Sequence, residues 1–313
     1  MSAAEAEVWA ATIALLQRGG TPLAGDRQRQ VHGAFLRWLQ AVDPALTDDL
    51  HRPNAIRPFT VAALVPERRP SPTVALRCTL LDRRVFQAFI QRCLPGGGSA
   101  IWRLGDAEFE LTHVTLVASG GGWTGWTSFA TLLDQARAEP AITVEFATPT
   151  AFSLGDDAQG AAAAGAAGTP ALTGEHTAGD GDTTETGEAS KPAAAAARHQ
   201  GGRKRIELFP QPRWLWESWA RKWNAFAPPP RQMDVRGVGD TAARGLVADY
   251  ELRTVTLDYR KFPQKGFTGW ARYDLRAATE RGLRQLNALA DFAFYAGTGY
   301  KTALGMGQTR RRP

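Results

Sequence analysis

The order of apolar periodicities predicts an α+β protein built from two tandem ferredoxin-like (RRM-like) units, the second interrupted by a low-complexity insertion. Three observations carry that expectation. Strand-like and helix-like runs follow one another as strand, helix, strand, strand, helix, strand, and a similar order returns later in the chain. A length of 313 residues suits two domains, each able to bury its own core. Composition then breaks abruptly at residues 155–202, which are alanine, glycine, threonine and acidic residues without one aromatic side chain. Such a segment buries too little apolar surface to offset its ordering entropy, so a disordered insertion is expected.

The first unit is expected over residues 1–139 and the second over 140–313. Residues 7–17 are rich in Ala, Val, Ile and Leu and stop at Arg18-Gly19-Gly20; a buried strand fits best and a short helix nearly as well. Val31, Ala34, Phe35, Trp38, Leu39 and Val42 recur at helical spacing and stop before Asp43-Pro44. A loop from Ala45 to Ile56, holding His51, leads to β-rich runs at 57–65 and 73–81. Val85, Phe86, Phe89, Ile90 and Leu94 mark a second helix, followed by strands at 101–104 and 108–118. Gly120 to Trp126 reads as a loop, Thr131 to Ala138 as a short helix and Ile142 to Phe146 as a strand. Beyond the insertion, Leu215, Trp216, Trp219, Trp223 and Phe226 form a helical stripe whose aromatic content suits a core. Leu246 to Leu257 reads as a strand in a hairpin with the segment holding Gly266 to Trp270, and Leu283 to Ala293 as a last helix.

The net charge of +6 is uneven. Residues 1–154 carry 14 basic and 14 acidic side chains, residues 155–202 carry 2 and 7, and residues 203–313 carry 21 and 10. A basic excess confined to the last part favours a polyanion partner, nucleic acid before membrane, although many basic surfaces are only solvated. No run of apolar residues is long enough for a transmembrane helix, and the acidic N-terminus lacks the features of a signal peptide. Cys78 and Cys93 are too few for a disulfide framework and fit thiols in a reducing cytoplasm.

The stretch from Gly297 to Gly307 places two Gly-X-Gly pairs around Lys301, before Arg310 and Arg311. Glycines let another backbone approach, and the neighbouring cations make a phosphate chain a candidate; a turn that only ends a helix is the plainer alternative. The spacing matches neither a P-loop nor a dinucleotide fingerprint. No His or Cys pair stands at metal-ligand spacing and no nucleophile elbow is present, so no cofactor is expected. Of the histidines outside the insertion, His32 falls in the first helix and His113 in a strand, which leaves His51 in a loop beside Arg52 and Arg57. An imidazole can move protons to or from ribose and phosphate oxygens near neutral pH, with a cation beside the phosphate. A histidine that merely anchors the loop is equally compatible with the spacing.

Gly297-Thr298-Gly299 through Gly305-Met306-Gly307 resembles the C-terminal glycine-rich motif of the CRISPR-associated endoribonucleases that process precursor CRISPR RNA, the Cas-six branch of the RAMP superfamily. Leu50-His51 with Arg57-Pro58-Phe59-Thr60 resembles the segment around the family's catalytic histidine. Thr148 to Phe152, Phe209-Pro210, Trp223 to Phe226 and Gly266 to Gly269 are similar to further family segments, in the family order. The resemblance implies two ferredoxin-like domains and metal-independent cleavage of repeat RNA, giving 2′,3′-cyclic phosphate or 3′-phosphate and 5′-hydroxyl ends. It implies His51 as general acid or base, Arg57 at a position that is lysine in some members, and RNA held by Gly297, Gly299, Lys301, Gly305, Gly307, Arg310 and Arg311. Some members carry a tyrosine on the first helix; that position here is Leu36, and His32, one turn earlier, is a candidate substitute. The implied partners are repeat RNA and crRNA, with type I or type III effector subunits and a homodimer left open. A catalytically silent RAMP subunit is the alternative function.

Overall fold

The computed structural model describes residues 3, 5–20, 28–52, 56–63, 71–94, 100–117, 122–154, 205–258 and 263–312. The insertion expected at 155–202 lies outside them.

The apolar run Val8–Gln17 forms β1, buried along most of its length because it is central to a sheet. It pairs antiparallel with β3 (Thr73–Leu80) on one side. On the other it pairs with β5 (Ala107–Thr115) and, at its start, with a short β6 (Gly125–Thr127). β2 (Phe59–Ala63) and β4 (Ile101–Leu104) complete the order β2-β3-β1-β5-β4. The helical stripe read from the sequence lies on α1 (Gln28–Gln40), which packs on this sheet with α3 (Arg83–Cys93). Phe35 of α1 anchors the layer, its ring centroid 4.9 Å from Phe59, 6.3 Å from Phe89 and 6.5 Å from Trp102.

A second sheet has the order β10-β11-β7-β12, from β7 (Ala141–Thr150), β10 (Leu246–Asp258), β11 (Pro263–Asp274) and β12 (Thr309–Arg312). β8 (Phe152–Leu154) and β9 (Arg205–Glu207) pair beside the insertion. The short α4 (Phe129–Asp134), capped by Ser128, precedes β7. Over the second sheet lie α5 (Pro212–Phe226), α6 (Val235–Ala243) and α7 (Glu280–Ala296). The tryptophan stripe is core: Trp216, Trp219 and Trp223 are fully buried. Each indole N–H has an acceptor, at Leu286 O (2.9 Å), Thr298 Oγ1 (2.9 Å) and Arg231 O (2.7 Å) respectively.

Several elements depart from the sequence reading, among them β6, whose residues 125 and 126 were read as loop and pair instead with the start of β1. Residues 44–51 are a helix, α2 (Pro44–His51), where a loop was expected. Asp43-Pro44, read as a stop, also starts a helix: the Asp43 carboxylate accepts from Leu46 N at 2.8 Å and Pro44 occupies the first turn. α6 was unanticipated because Gly237 and Gly239 lower helix propensity; Gly239 is needed where a Cβ would collide with the Glu217 side chain. The strand β12 has no apolar alternation and forms by pairing with the edge of β7.

The two sheets meet around Arg77 of β3, which is fully buried. Its guanidinium donates to Trp123 O (2.9 Å), Phe294 O (2.6 Å) and the side-chain oxygen of Gln308, and lies over the rings of Trp123 and Phe294. Gln308 in turn donates to Thr60 Oγ1 at 2.9 Å, which shares a 2.7 Å hydrogen bond with Thr79 Oγ1, while Gln308 N donates to Thr148 Oγ1. Burial pulls the Arg77 pKa down to about 9, so it remains a cation at neutral pH. Replacing Gln308 with Ala removes the acceptor of a buried guanidinium N–H and leaves the Thr60 hydroxyl with Thr79 Oγ1 alone. Gln308→Ala is expected to destabilise the fold by roughly 3 kcal/mol in denaturant unfolding; a loss under about 0.5 kcal/mol would show that the network contributes little.

Candidate active site

α2 places His51 in its last turn. The His51 Nδ1 lies 2.8 Å from Thr47 O. A carbonyl only accepts, so Nδ1 carries the proton and the neutral ring keeps Nε2 unprotonated. The side chain is exposed. Arg84 of α3 braces the helix, contacting Asp43 at 2.8 and 2.9 Å and Asp49 at 3.1 Å, and holds the Asp43 carboxyl below its ordinary range.

His32, half-buried on α1, is arranged in the same way. Its Nδ1 donates to Ala303 O at 2.8 Å, and its ring lies 6.0 Å from that of Phe59. Its pKa falls from 6.5 to about 4, chiefly through burial, with Arg57, His51 and Arg29 adding positive charge against the opposing effect of the Ala303 hydrogen bond. The fold therefore brings His51 and Arg57 within electrostatic reach of His32. Arg57 is half-buried and donates to Arg52 O at 2.8 Å. Leu36, the next turn along from His32, is buried in the core.

The Ala303 carbonyl belongs to the glycine stretch, which closes the site from the other half of the chain. Gly297 ends α7, Thr298 N donates to Gly307 O (2.8 Å), and Gly307 N donates to Pro149 O (3.0 Å). Gly299 has φ +74°, and a Cβ there would strike Ala151 O; at Gly305, φ +92°, it would strike the buried Gln28 side chain. The backbone these two glycines admit is thus the protein's own. Gln28 was not anticipated as a site residue. It donates to Ala63 O (3.1 Å) and accepts from Ala63 N (3.0 Å), tying α1 to β2. Lys222 of α5 adds donors to Ala296 O (3.0 Å) and Thr302 Oγ1 (3.1 Å). Lys301, the one non-glycine with positive φ among the described residues, donates to Gln264 Oε1 at 3.0 Å.

Arg310 and Arg311 lie on β12. Arg310 pairs with Glu145 at 2.8 Å and covers Trp123, and Arg311 pairs with Glu139 and Asp291. Both line a groove of about 880 Å³ that includes neither His32, His51 nor Arg57. Among the described residues no group of three or more His, Cys, Asp or Glu side chains could hold a metal ion, and no helix is long and apolar enough to cross a membrane. Cys78 and Cys93 are free thiols with pKa values raised by burial.

Two ferredoxin-like sheets with a glycine-rich segment packed against both define the fold class, and solved structures share it. Cas6 (TTHB231) in a product complex is 27% identical over 98% of this chain and 100% of that one, with a TM-score of 0.73. The same protein, from Thermus thermophilus, gives 24% identity over 98% and 99%, with a TM-score of 0.65. A RAMP protein described as binding different RNA substrates shares the fold at 12% identity over 97% and 100%, with a TM-score of 0.51. The family model for the CRISPR-associated endoribonuclease Cas6 matches residues 144–309, and this chain belongs to that family. No curated protein matches it.

The His32 environment has a measurable consequence. The folded imidazole titrates near 4 and the unfolded one near 6.5, so the unfolded state binds more protons between those values. Stability from this group is complete above about 6.5 and declines as pH falls toward 4. An NMR titration of the His32 Cε1–H is expected to show a midpoint about 4; a midpoint at or above 6.5 would contradict the buried, neutral imidazole.

Proposed function

We propose that this chain is a metal-independent endoribonuclease that cleaves precursor CRISPR RNA within its repeats, with His51 as general acid or base. The carrying observation is the pair of imidazoles whose Nδ1 protons are each committed to a backbone carbonyl, leaving two Nε2 atoms for the substrate. In this reading the ribose 2′-oxygen attacks the adjacent phosphorus and gives up its proton. The P–O5′ bond breaks, and the leaving oxygen takes a proton, giving a 2′,3′-cyclic phosphate and a 5′-hydroxyl. The nucleophile is the RNA's own, so imidazole acid–base chemistry suffices and no metal is called for.

His51, exposed at a helix C-terminus with its Nδ1 engaged by Thr47 O, would turn its Nε2 to the substrate. His32, neutral at pH 7, is suited to accepting a hydrogen bond from the 2′-hydroxyl and orienting it, since its low pKa makes it a weak base. Arg57 would stabilise charge developing on the phosphate. RNA binding is assigned to the glycine stretch around Lys301, with Gly297, Gly299, Gly305 and Gly307 shaping it. Arg310 and Arg311 would meet phosphates by exchanging their carboxylates for them. Two Cas6 relatives are solved as product complexes and one as a substrate mimic complex, which supports repeat RNA as the partner. A division into catalytic and glycine-loop units near residue 140 belongs to the same reading.

Single-turnover cleavage of repeat RNA in EDTA tests it. His51→Ala is expected to lower the rate by roughly 10²–10⁴-fold, and RNA lacking the 2′-hydroxyl at the scissile nucleotide should remain intact. Full cleavage in either case would overturn the mechanism; RNA bound but left uncut by the wild type would indicate a silent RNA-holding subunit.

A further inference from the structure

One buried amide joins the three elements that surround His32. Gln28 stands at the start of α1 and is only 6% exposed. Among the described residues β2 is laddered to β3 alone and forms an edge of the first sheet. At Ala63, the last residue of β2, the Gln28 side chain accepts from N (3.0 Å) and donates to O (3.1 Å). These are the two bonds that a neighbouring strand would exchange with Ala63. A carboxamide offers donor and acceptor together, whereas an ionised carboxylate only accepts and a thioether does neither well.

The same side chain supports the turn that holds His32. Gly305 lies so close that a Cβ on it would collide with the Gln28 amide. Two residues earlier, Ala303 is buried and its carbonyl accepts from His32 Nδ1 at 2.8 Å. Leu304 N and Met306 N both donate to Lys301 O, at 2.9 and 3.3 Å, which closes residues 301–306 into one unit. His32 comes four residues after Gln28, on the same face of α1. The turn therefore meets α1 at two points one helical turn apart, Gly305 on Gln28 and Ala303 O on His32. A hydrogen-bonded turn moves as a body, so losing the first contact shifts the second. Phe59, whose ring lies 6.0 Å from that of His32, opens the strand that Gln28 holds at Ala63.

We propose that Gln28 is a positioning residue for RNA cleavage: by pairing with Ala63 and supporting Gly305 it sets where Ala303 O stands, and so holds the His32 ring in place. This rests on the role given to His32 above. Gln28→Met keeps the side-chain length and removes both bonds to Ala63, while Arg29, Arg57 and His51 still face the imidazole. A change in the His32 titration then reports its burial and its bond to Ala303. In the folded variant the NMR midpoint of His32 is expected to rise from about 4 by at least about one unit. Single-turnover cleavage should fall by roughly 10–10²-fold, with repeat-RNA affinity kept within about twofold. In a His32→Ala background, Gln28→Met should slow cleavage by less than about twofold more. Gln28→Asn, a methylene too short for both bonds, replaces Gln28→Met if that variant does not fold, with the same expected results. A folded variant whose His32 midpoint stays at about 4 would overturn the proposal. So would a loss of rate that is undiminished in the His32→Ala background, which would show that Gln28 acts other than through His32. Cleavage by His32→Ala at the wild-type rate would instead refute the role given to His32, and the titration would still decide whether Gln28 places its ring.

Discussion

Removing a guanidinium from water costs several kcal/mol unless its donors are satisfied, and Arg77 is fully buried with carbonyl and amide oxygens as its acceptors. What compensates comes from distant parts of the chain: carbonyls of Trp123 and Phe294, the amide of Gln308 and two aromatic faces. Arg77 itself sits on the first sheet, whereas Phe294 and Gln308 belong to the second half. The cation is satisfied only when the sheets are docked in one arrangement. That arrangement also sets where the C-terminal strand begins, because Gln308 is the residue before β12.

From this fixed point the glycine stretch runs back toward α1. Its turns are pinned by Trp219 on Thr298, Lys222 on Ala296 and Thr302, and Ala151 O on Tyr300 N. The absent side chains of Gly299 and Gly305 admit Ala151 and Gln28 of the same molecule. The stretch therefore acts first as a brace. It presents Ala303 O to His32, selects the tautomer of that imidazole and keeps the ring in a partly dry position where it stays neutral. α2 acts on His51 in parallel through Thr47 O. Both histidines are thus oriented by backbone carbonyls, which are fixed by secondary structure rather than by side-chain rotamers.

Much of this was legible in the sequence where local periodicity carries the information. β1, α1, α3, α5 and the tryptophan core follow from apolar spacing, and the glycine stretch stood out by composition. His51 was singled out, yet placed in a loop, because Asp43-Pro44 is equally a helix end and a helix start. β12 was missed because Thr309 to Arg312 has no apolar alternation; its support is the β7 ladder and the carboxylates of Glu145, Glu139 and Asp291. Gln28 and Arg77 gave no signal at all. Their partners lie tens to hundreds of residues away, and no local pattern encodes which glutamine meets which glycine.

The central claim is that the glycine stretch braces the site before it touches any ligand, and Gly299→Ala tests it most directly. Melting temperature and repeat-RNA affinity would be measured on the same preparation. A brace predicts a melting temperature lower by at least about 5 °C, since a Cβ at that φ meets Ala151 O, with cleavage falling alongside it. An unchanged melting temperature with RNA affinity lost would contradict it, and would make the glycines a cradle for the RNA backbone.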